Sequence, residues 1–329
     1  MEEAEIQQHF FSHLKSTLPP NISLADELAE KMGLSHDSIY RRIRGEKPIT
    51  LPELRMLCQH YHISLDQVLG IESDSVIFNA PDLNKENVTF DAYLDDMLEL
   101  MKYFNSFSGK QLRYLCKDMT FFQFFIFPEI ASFKTFFWIK TIQNNHEYGR
   151  RKFSLVDNFD IFYSKGQEIL KEYNKIPSCE LWNTESINST LSQIAYYQDS
   201  GIFENYNDYI KVIDSFERTI DHLQLQAEKG YKYMPGDTEV SYKAPLQLYV
   251  NEVVLGSNTV FAELDGVRMS IITYNVLNYM MTSHQRFSDK GFSSFDNLVS
   301  RSSLISATGE KDRNRFFYQL KERIRVMRK

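Results

Sequence analysis

The sequence contains few of the residues that build cross-linked or thiolate-metal folds. Its 329 residues include three cysteines, Cys58, Cys116 and Cys179, and no two of them form a CxxC pair. An odd number of isolated cysteines excludes a disulfide framework and a thiolate zinc site, and it is typical of proteins in a reducing compartment. We therefore expect the cysteines to act as buried small apolar residues in a cytoplasmic protein.

Long uninterrupted apolar runs are also lacking. The most apolar segment, 119–142, contains Pro128, Glu129, Lys134 and Lys140. A membrane-spanning helix needs about 20 mostly apolar residues with few charges, so we expect core or interface helices here and no membrane partner. The first ten residues, MEEAEIQQHF, are acidic and amphipathic. An export signal begins basic and continues apolar, so we expect none.

The familiar motifs of catalysis and of nucleotide binding are missing. The sequence has no HExxH, GxSxG, Walker or GxGxxG pattern, and its 13 glycines offer few places for a phosphate cradle. His9 and His13 lie one turn apart, and His60 and His62 flank Tyr61, but no Cys, Asp or Glu completes a ligand set. We therefore expect no catalytic residue, no metal site and no cofactor.

Positive charge is scarce overall but is locally concentrated. The formal net charge is -7, so any nucleic-acid contact must come from a local patch. The segment 38–47 carries four cations against one acid, and 310–329 carries eight against three. We interpret the second segment as an amphipathic terminal helix packed on its domain, with an auxiliary phosphate contact or a site for an acidic partner as the alternative.

The first 69 residues have the period of short helices. Apolar residues recur every three or four positions, and the runs are separated by cap and turn residues. Ser23, Ser35 and Thr50 are the predicted N-caps, and Gly33 is the predicted end of the second helix. The predicted helices are 5–18, 24–32, 35–44, a fourth that begins after Thr50, and 64–69.

The rest of the chain is a polar segment followed by mixed elements. We predict a DNA-binding domain at 1–70, a linker at 71–87 and an α+β domain at 88–329. Asp265 and Gly266 separate two β-branched runs and indicate a hairpin in a small antiparallel sheet. The predicted helices are 90–104, 118–142 split at Pro128, 161–175, 184–199, 205–228, 275–281, 294–304 and 312–327. The predicted strands are 246–250, 253–255, 259–264 and 267–273, with 113–116 as a further candidate.

One segment carries a resemblance to a known family. Residues 24–69, LADELAEKMGLSHDSIYRRIRGEKPITLPELRMLCQHYHISLDQVL, resemble the XRE family, also called Cro/lambda-repressor-like helix-turn-helix regulators. Ala29 is small where two helices would cross, Gly33 allows the sharp turn, and Leu28 and Ile39 would face a shared core. The resemblance implies a five-helix N-terminal domain within a mainly helical α+β protein. It also implies that helix 35–44 enters the major groove of double-stranded DNA.

The resemblance supplies candidate DNA contacts. Arg and His can read guanine edges, and Asp can accept a hydrogen bond from cytosine. Arg42 stands where the family has an apolar residue, and Ile43 follows it, so the helix could dock in a rotated position. We expect Arg41 to read a base and Arg44 or Arg42 to hold a phosphate, and the reverse assignment stays open. The candidate residues are Ser35, His36, Asp37, Ser38, Tyr40, Arg41, Arg42, Arg44 and Lys47.

These features favour a DNA-binding transcriptional regulator that works as a homodimer, with a small-molecule or protein effector as a further partner. One helix-turn-helix reads few base pairs, so a second copy would supply affinity. Two other functions stay open: an enzyme or signalling module carrying a DNA-binding head, and a protein–protein adaptor. The dense aromatic residues of 121–138 are interpreted as core, with a dimer interface or the wall of an apolar ligand pocket as alternatives.

Overall fold

The chain divides into two compact units, Met1–Ile77 and Phe78–Lys329. The computed structural model describes residues 3–18, 22–61, 63, 65, 68, 75–80, 89–237, 243–252 and 256–328. The boundary between the units falls inside the polar segment 71–87. Most of that segment, most of the predicted helix 64–69 and the predicted strand 253–255 lie outside the described residues.

The first unit is helical. Its described helices are α1 (Glu3–Thr17), α2 (Leu24–Met32), α3 (His36–Ile43) and α4 (Leu51–His60). Their apolar stripes meet in one core, where Phe11, Leu14, Leu28, Ile39 and Leu57 are at most 1% exposed. The four helices stand where the sequence predicts them, and the fifth helix of the expected domain is not confirmed.

The second unit is α+β. After α5 (Phe90–Asn105) and β1 (Lys110–Cys116), the chain forms a 3₁₀ helix (Phe121–Phe125), α6 (Pro128–Phe137) and a π-helical turn (Trp138–Ile142). The remaining elements are α7 (Asp160–Tyr173), β2 (Ser178–Trp182), α8 (Asn188–Asp199), α9 (Tyr206–Lys229), β3 (Leu246–Val250), β4 (Thr259–Leu264), β5 (Val267–Asn275), β6 (Asn278–Thr282), α10 (Gln285–Val299), β7 (Ser303–Leu304) and α11 (Glu310–Val326).

The sheet is larger than the sequence predicts, and it is mixed. In the described part of the chain, seven strands run in the order β6-β5-β4-β1-β2-β3-β7. The centre, β1-β2-β3, is parallel, and the other neighbours are antiparallel. The prediction of a small antiparallel sheet is therefore wrong, because it omitted β1 as a firm element and β2 altogether. The predicted hairpin is present: Leu264 pairs with Val267, and Asp265 and Gly266 both have positive φ, as a tight hairpin turn requires.

The two faces of the sheet bury different helices. Side chains of paired residues on neighbouring strands point to the same face. Leu112, Tyr114 and Cys116 of β1 point into the main core with residues of α5, α6, α7, α8, α9 and α11. Leu181 and Phe261 point into a smaller cluster on the opposite face with residues of α10. The unit is therefore a sheet between two helical layers.

Two predicted helices near the end of the chain are wrong in type or bounds. Residues 275–281 complete β5 and form most of β6, where Met281 pairs with Ile271. Pairing with β5 makes this segment a strand, although its local sequence has a weak helical period. The predicted helix 294–304 is instead the end of α10, which begins at Gln285, followed by β7.

The aromatic residues of 121–138 lie in the core of the second unit. Phe125, Phe133 and Phe136 are completely buried, and Trp138 is 2% exposed. The 3₁₀ helix, α6 and the π-helical turn present them in different directions, so they need not share one helical face. This placement removes the argument that unplaced aromatics require a dimer interface. No helix within the described ranges is long and apolar enough to cross a membrane.

Candidate nucleic-acid interface

Helices α2 and α3 are joined by a sharp turn whose residues have the predicted roles. The Ser23 hydroxyl accepts a hydrogen bond from the Asp26 N–H at 3.5 Å, and the Ser35 hydroxyl accepts one from the Ser38 N–H at 3.4 Å. Between them Gly33 has a φ of 62°, which favours glycine because it has no Cβ. The two caps and the glycine fix where α2 ends and where α3 begins.

The inner face of the helix pair is apolar. Leu28 and Ile39 are completely buried, and Ala29 and Ile43 are half-buried against the same core. The expectation that Leu28 and Ile39 face a shared core is confirmed. This apolar stripe points into the core, so the residues on either side of it lie at the two edges of α3 that border solvent.

Arg42 is buried, which corrects its place among the candidate DNA contacts. It is 4% exposed, and its Nη2 lies 2.7 Å from Glu53 Oε1 in the first turn of α4. Its Nη1 donates to the Ser38 hydroxyl at 2.6 Å and to the Ser38 carbonyl at 3.2 Å. A guanidinium with these partners joins α3 to α4 inside the protein. It is not free to hold a phosphate, and Ser38, whose hydroxyl it uses, is half-buried.

Glu53 holds Arg42 as part of a helix cap. The Thr50 N–H donates to Glu53 Oε2 at 2.8 Å, and the Thr50 hydroxyl accepts from the Glu53 N–H at 3.4 Å, which forms a capping box. Burial would raise the pKa of Glu53, but hydrogen bonds from Thr50 and Arg42 outweigh it and lower that pKa. The sequence predicts Thr50 as an N-cap, and the spacing Thr50-x-x-Glu53 could also have indicated the capping box, whereas the pairing of Glu53 with Arg42 could not be predicted.

The remaining candidate residues lie at the surface. Tyr40 is 48% exposed, and Ser35, His36, Asp37, Arg41, Arg44 and Lys47 are also exposed. His36 is paired with Asp26 of α2, with Nε2 2.9 Å from Oδ1. The first turn of α3 and its arginine edge are therefore accessible to a large partner.

Arg41 and Arg44 share one edge of α3, because both reach the same carboxylate. Arg44 Nε lies 2.8 Å from Glu46 Oε1, and Arg41 Nε lies 3.8 Å from Glu46 Oε2. With Arg42 buried, the exposed charges of 38–47 are Arg41, Arg44 and Lys47 against Glu46. The patch is still positive, and these exposed pairs are weak enough for a phosphate to replace Glu46.

Gln7 of α1 fixes the loop after α3, a role that no motif in the sequence indicates. Its amide nitrogen donates to the Arg42 carbonyl at 2.6 Å and to the Lys47 carbonyl at 2.8 Å. Its amide oxygen accepts from the Ile49 N–H at 2.8 Å. The neighbouring Gln8 makes a single bond of 2.8 Å to the Arg44 carbonyl. One side chain thus holds both ends of the loop that carries Glu46 and Lys47.

The second basic segment forms α11 and packs as the amphipathic interpretation expects. Phe316, Leu320 and Ile324 are buried, and the cations on its flank pair with α9. Arg328 contacts Asp214 and Glu217, Arg325 contacts Glu217, and Lys321 contacts Asp221. These three charges are compensated within the unit, so this flank of α11 offers little to a phosphate.

Comparisons with protein-family models, curated proteins and solved structures gave no match. The candidate site therefore depends on the geometry of α2, α3 and their supports. Within the described ranges, no three His, Cys, Asp or Glu side chains are placed to hold a metal ion.

Proposed function

We propose that this chain is a sequence-specific DNA-binding transcriptional regulator that inserts α3 into the major groove. The observation that carries the proposal is the exposed edge of α3, where Arg41 and Arg44 project together on a helix that also exposes Tyr40 and its N-cap Ser35. A rigid support lies behind it: the turn at Gly33 and the buried Arg42–Glu53 pair. A preformed helix edge with two arginines matches how helix-turn-helix proteins present side chains to base edges.

The roles follow from position on α3. We assign Arg41, in the body of the helix, to a base edge and Arg44, its C-cap, to a phosphate. His36 and Asp37 lie in the first turn, which is the part of a recognition helix that enters the groove. Lys47 follows in the loop held by Gln7 and is suited to a second phosphate contact.

A homodimer is part of the proposal. One α3 contacts few base pairs, and two copies would double both the contacts and the phosphate charges neutralised. The operator is then a two-fold repeat with half-sites about one helical turn, ~34 Å, apart. The effector, if there is one, belongs to the second unit.

Selection of bound fragments from random-sequence DNA by the purified full-length protein tests the proposal. We expect an enriched inverted repeat, bound with an affinity that falls as salt rises. Recovery of unenriched fragments, or binding that salt does not change, would contradict it and would favour a protein–protein adaptor.

One observation favours a signalling module over a plain DNA-binding protein. The second unit encloses a cavity near which the ionisable residues Lys117, Asp118 and Lys134 converge. Lys134 donates a hydrogen bond to the Gln193 amide, and the Asn258 amide donates one to Asp118. The two charged side chains are thus hydrogen-bonded to side-chain amides and not to a nucleophilic side chain. We therefore propose ligand binding, not catalysis, as the role of the second unit.

A further inference from the structure

The second unit holds a cavity of about 380 Å³. Its floor is the face of the sheet formed by Leu112, Tyr114, Val260 and Ile271, and Met97 and Met101 of α5 line it as well. This volume lies within the range of small-molecule sites, which are mostly apolar with a few placed polar groups. Methionine side chains are flexible, so this part of the wall can pack against apolar groups of different shapes.

The polar lining gathers near the carboxyl end of β1. Lys134 reaches the cavity from α6 and is 3% exposed, and its Nζ donates to Gln193 Oε1 of α8 at 2.6 Å. Asp118 and Asn258 bond to each other there: the Asp118 N–H donates to Asn258 Oδ1 at 2.9 Å, and Asn258 Nδ2 donates to Asp118 Oδ2 at 3.3 Å. The exposed Lys117 lies at the rim.

Lys134 makes no direct ion pair in the part of the chain that the structure describes, and the Asp118 carboxylate on the same cavity wall attracts its charge without contacting it. An ammonium group has three donors, and Gln193 takes one of them. The Phe124 ring, with its centroid 4.2 Å from Nζ, contributes a cation–π contact but no charge. Burial disfavours the charged form and lowers the pKa of Lys134 to about 7, because the attraction of Asp118 offsets the effect of burial only in part. An anionic group in the cavity would supply the direct ion pair that Asp118 does not make.

We propose that this cavity binds a small amphipathic carboxylate, with its acid group at Lys134 and its apolar body against α5 and the sheet. A monoanion fits better than a phosphate because a single buried amine faces the cavity, and phosphates are held by several cations or backbone N–H groups. The acid could be aliphatic or aromatic, because methionines and aromatic rings both line the space. The inference concerns the second unit alone and does not depend on DNA binding.

Calorimetric titration of the full-length protein without DNA tests this. The probes are octanoate and naphthoate, each with its matched alcohol, octanol and naphthalenemethanol. We expect at least one carboxylate to bind at least about tenfold more tightly than its alcohol, which is the effect of a charge-assisted hydrogen bond. Whichever acid binds more tightly identifies the ligand as aliphatic or aromatic. If neither acid binds, or if acid and alcohol bind equally well, the proposal is wrong.

Variants separate a binding role of Lys134 from a structural one. Lys134→Met keeps the length and the apolar stem, and we expect it to remove the preference for the carboxylate while the alcohol still binds. Lys171→Met changes an exposed lysine of α7 and should leave the preference intact. Met101→Trp fills the cavity and should weaken all four probes by at least about tenfold. If Lys134→Met retains the preference, or if Met101→Trp binds all probes as the wild type does, the assignment of the site fails.

Discussion

Arg42 Nη2 and Glu53 Oε1 lie 2.7 Å apart and join the buried side of α3 to the first turn of α4. Because Arg42 is 4% exposed, its direction is fixed, and the rotation of α3 about its axis is fixed with it. Arg41 and Arg44 are thereby directed to solvent on one edge. Arg42, a candidate phosphate contact from the sequence, instead determines which neighbouring arginines are exposed and could contact a phosphate.

Breaking this pair should destabilise the first unit. Arg42→Met leaves the Glu53 carboxylate without its cationic partner, and we expect the free energy of unfolding to fall by about 3 kcal/mol. Both tryptophans, Trp138 and Trp182, are in the second unit. Loss of helical circular dichroism at lower denaturant without a change in tryptophan fluorescence therefore reports the first unit.

The double variant Arg42→Met/Glu53→Met is the matched control. It removes both charges, so we expect it to recover part of the lost stability. Equal stability of Arg42→Met and the wild type would show that the pair does not hold α3 to α4.

The contribution of Glu53 should depend on pH. Since folding lowers the pKa of Glu53, its contribution is fully present above the ordinary glutamate pKa of about 4.3 and is lost as the pH falls through the lower pKa of the folded state. The stability difference between the wild type and Glu53→Gln should therefore shrink between about pH 5 and pH 3. Glu30→Gln, on an exposed position of α2, controls for the loss of a surface carboxylate. A difference that stays constant over this range would contradict the assignment.

Gln7 should matter for both stability and DNA binding. Gln7→Ala removes three hydrogen bonds that hold the loop after α3, and we expect a loss of about 1–3 kcal/mol in unfolding free energy. DNA affinity should fall as well, because Lys47 would no longer be positioned. Gln8→Ala removes only one exposed bond and should have a smaller effect on both. Thermal unfolding and DNA titration of the two variants provide the comparison, and equal effects would refute the role of Gln7.

Glu46 should weaken DNA binding in the wild-type protein. Arg44 and Arg41 both contact its carboxylate, and a phosphate must replace it. We expect Glu46→Gln to raise DNA affinity about twofold to fivefold at low salt, the effect of one exposed ion pair. Glu228→Gln removes an exposed carboxylate from the second unit and should change the affinity less. Fluorescence anisotropy with labelled DNA measures both, and a decrease in affinity for Glu46→Gln would place Arg41 and Arg44 away from the DNA.

The ends of α2 and α3 and the turn between them could be predicted from the sequence because their signals are local. Ser23, Gly33 and Ser35 act on backbone within a few residues of themselves, so cap and turn rules locate them. The burial of Arg42, by contrast, could not be predicted from local signals. It depends on Glu53 from another helix, and an arginine within a basic run looks solvated until that partner is known.

The fold of the second unit was harder to predict from the sequence for the same reason, because its elements depend on partners from other parts of the chain. The strand β2 is five residues long, and Glu180 stands at its centre, which argues against a buried strand. Tyr173, Ser178 and Trp182 all donate hydrogen bonds to that carboxylate, and Tyr173 comes from α7. Likewise, Lys134 looked like an interruption of an apolar run, whereas the fold buries it beside the cavity.

The most direct test of the account is the binding of Arg41→Ala and Arg44→Ala full-length proteins to the selected operator and to a scrambled sequence across a salt series. Arg315→Ala, an exposed position on α11, is the control. We predict that Arg41→Ala costs ~1–3 kcal/mol on the operator and relaxes selectivity at one position. Arg44→Ala should weaken both sequences alike and lower the salt slope by ~1. The opposite assignment would mean that α3 docks in a rotated position, and unchanged binding by both variants would contradict the helix-turn-helix function itself.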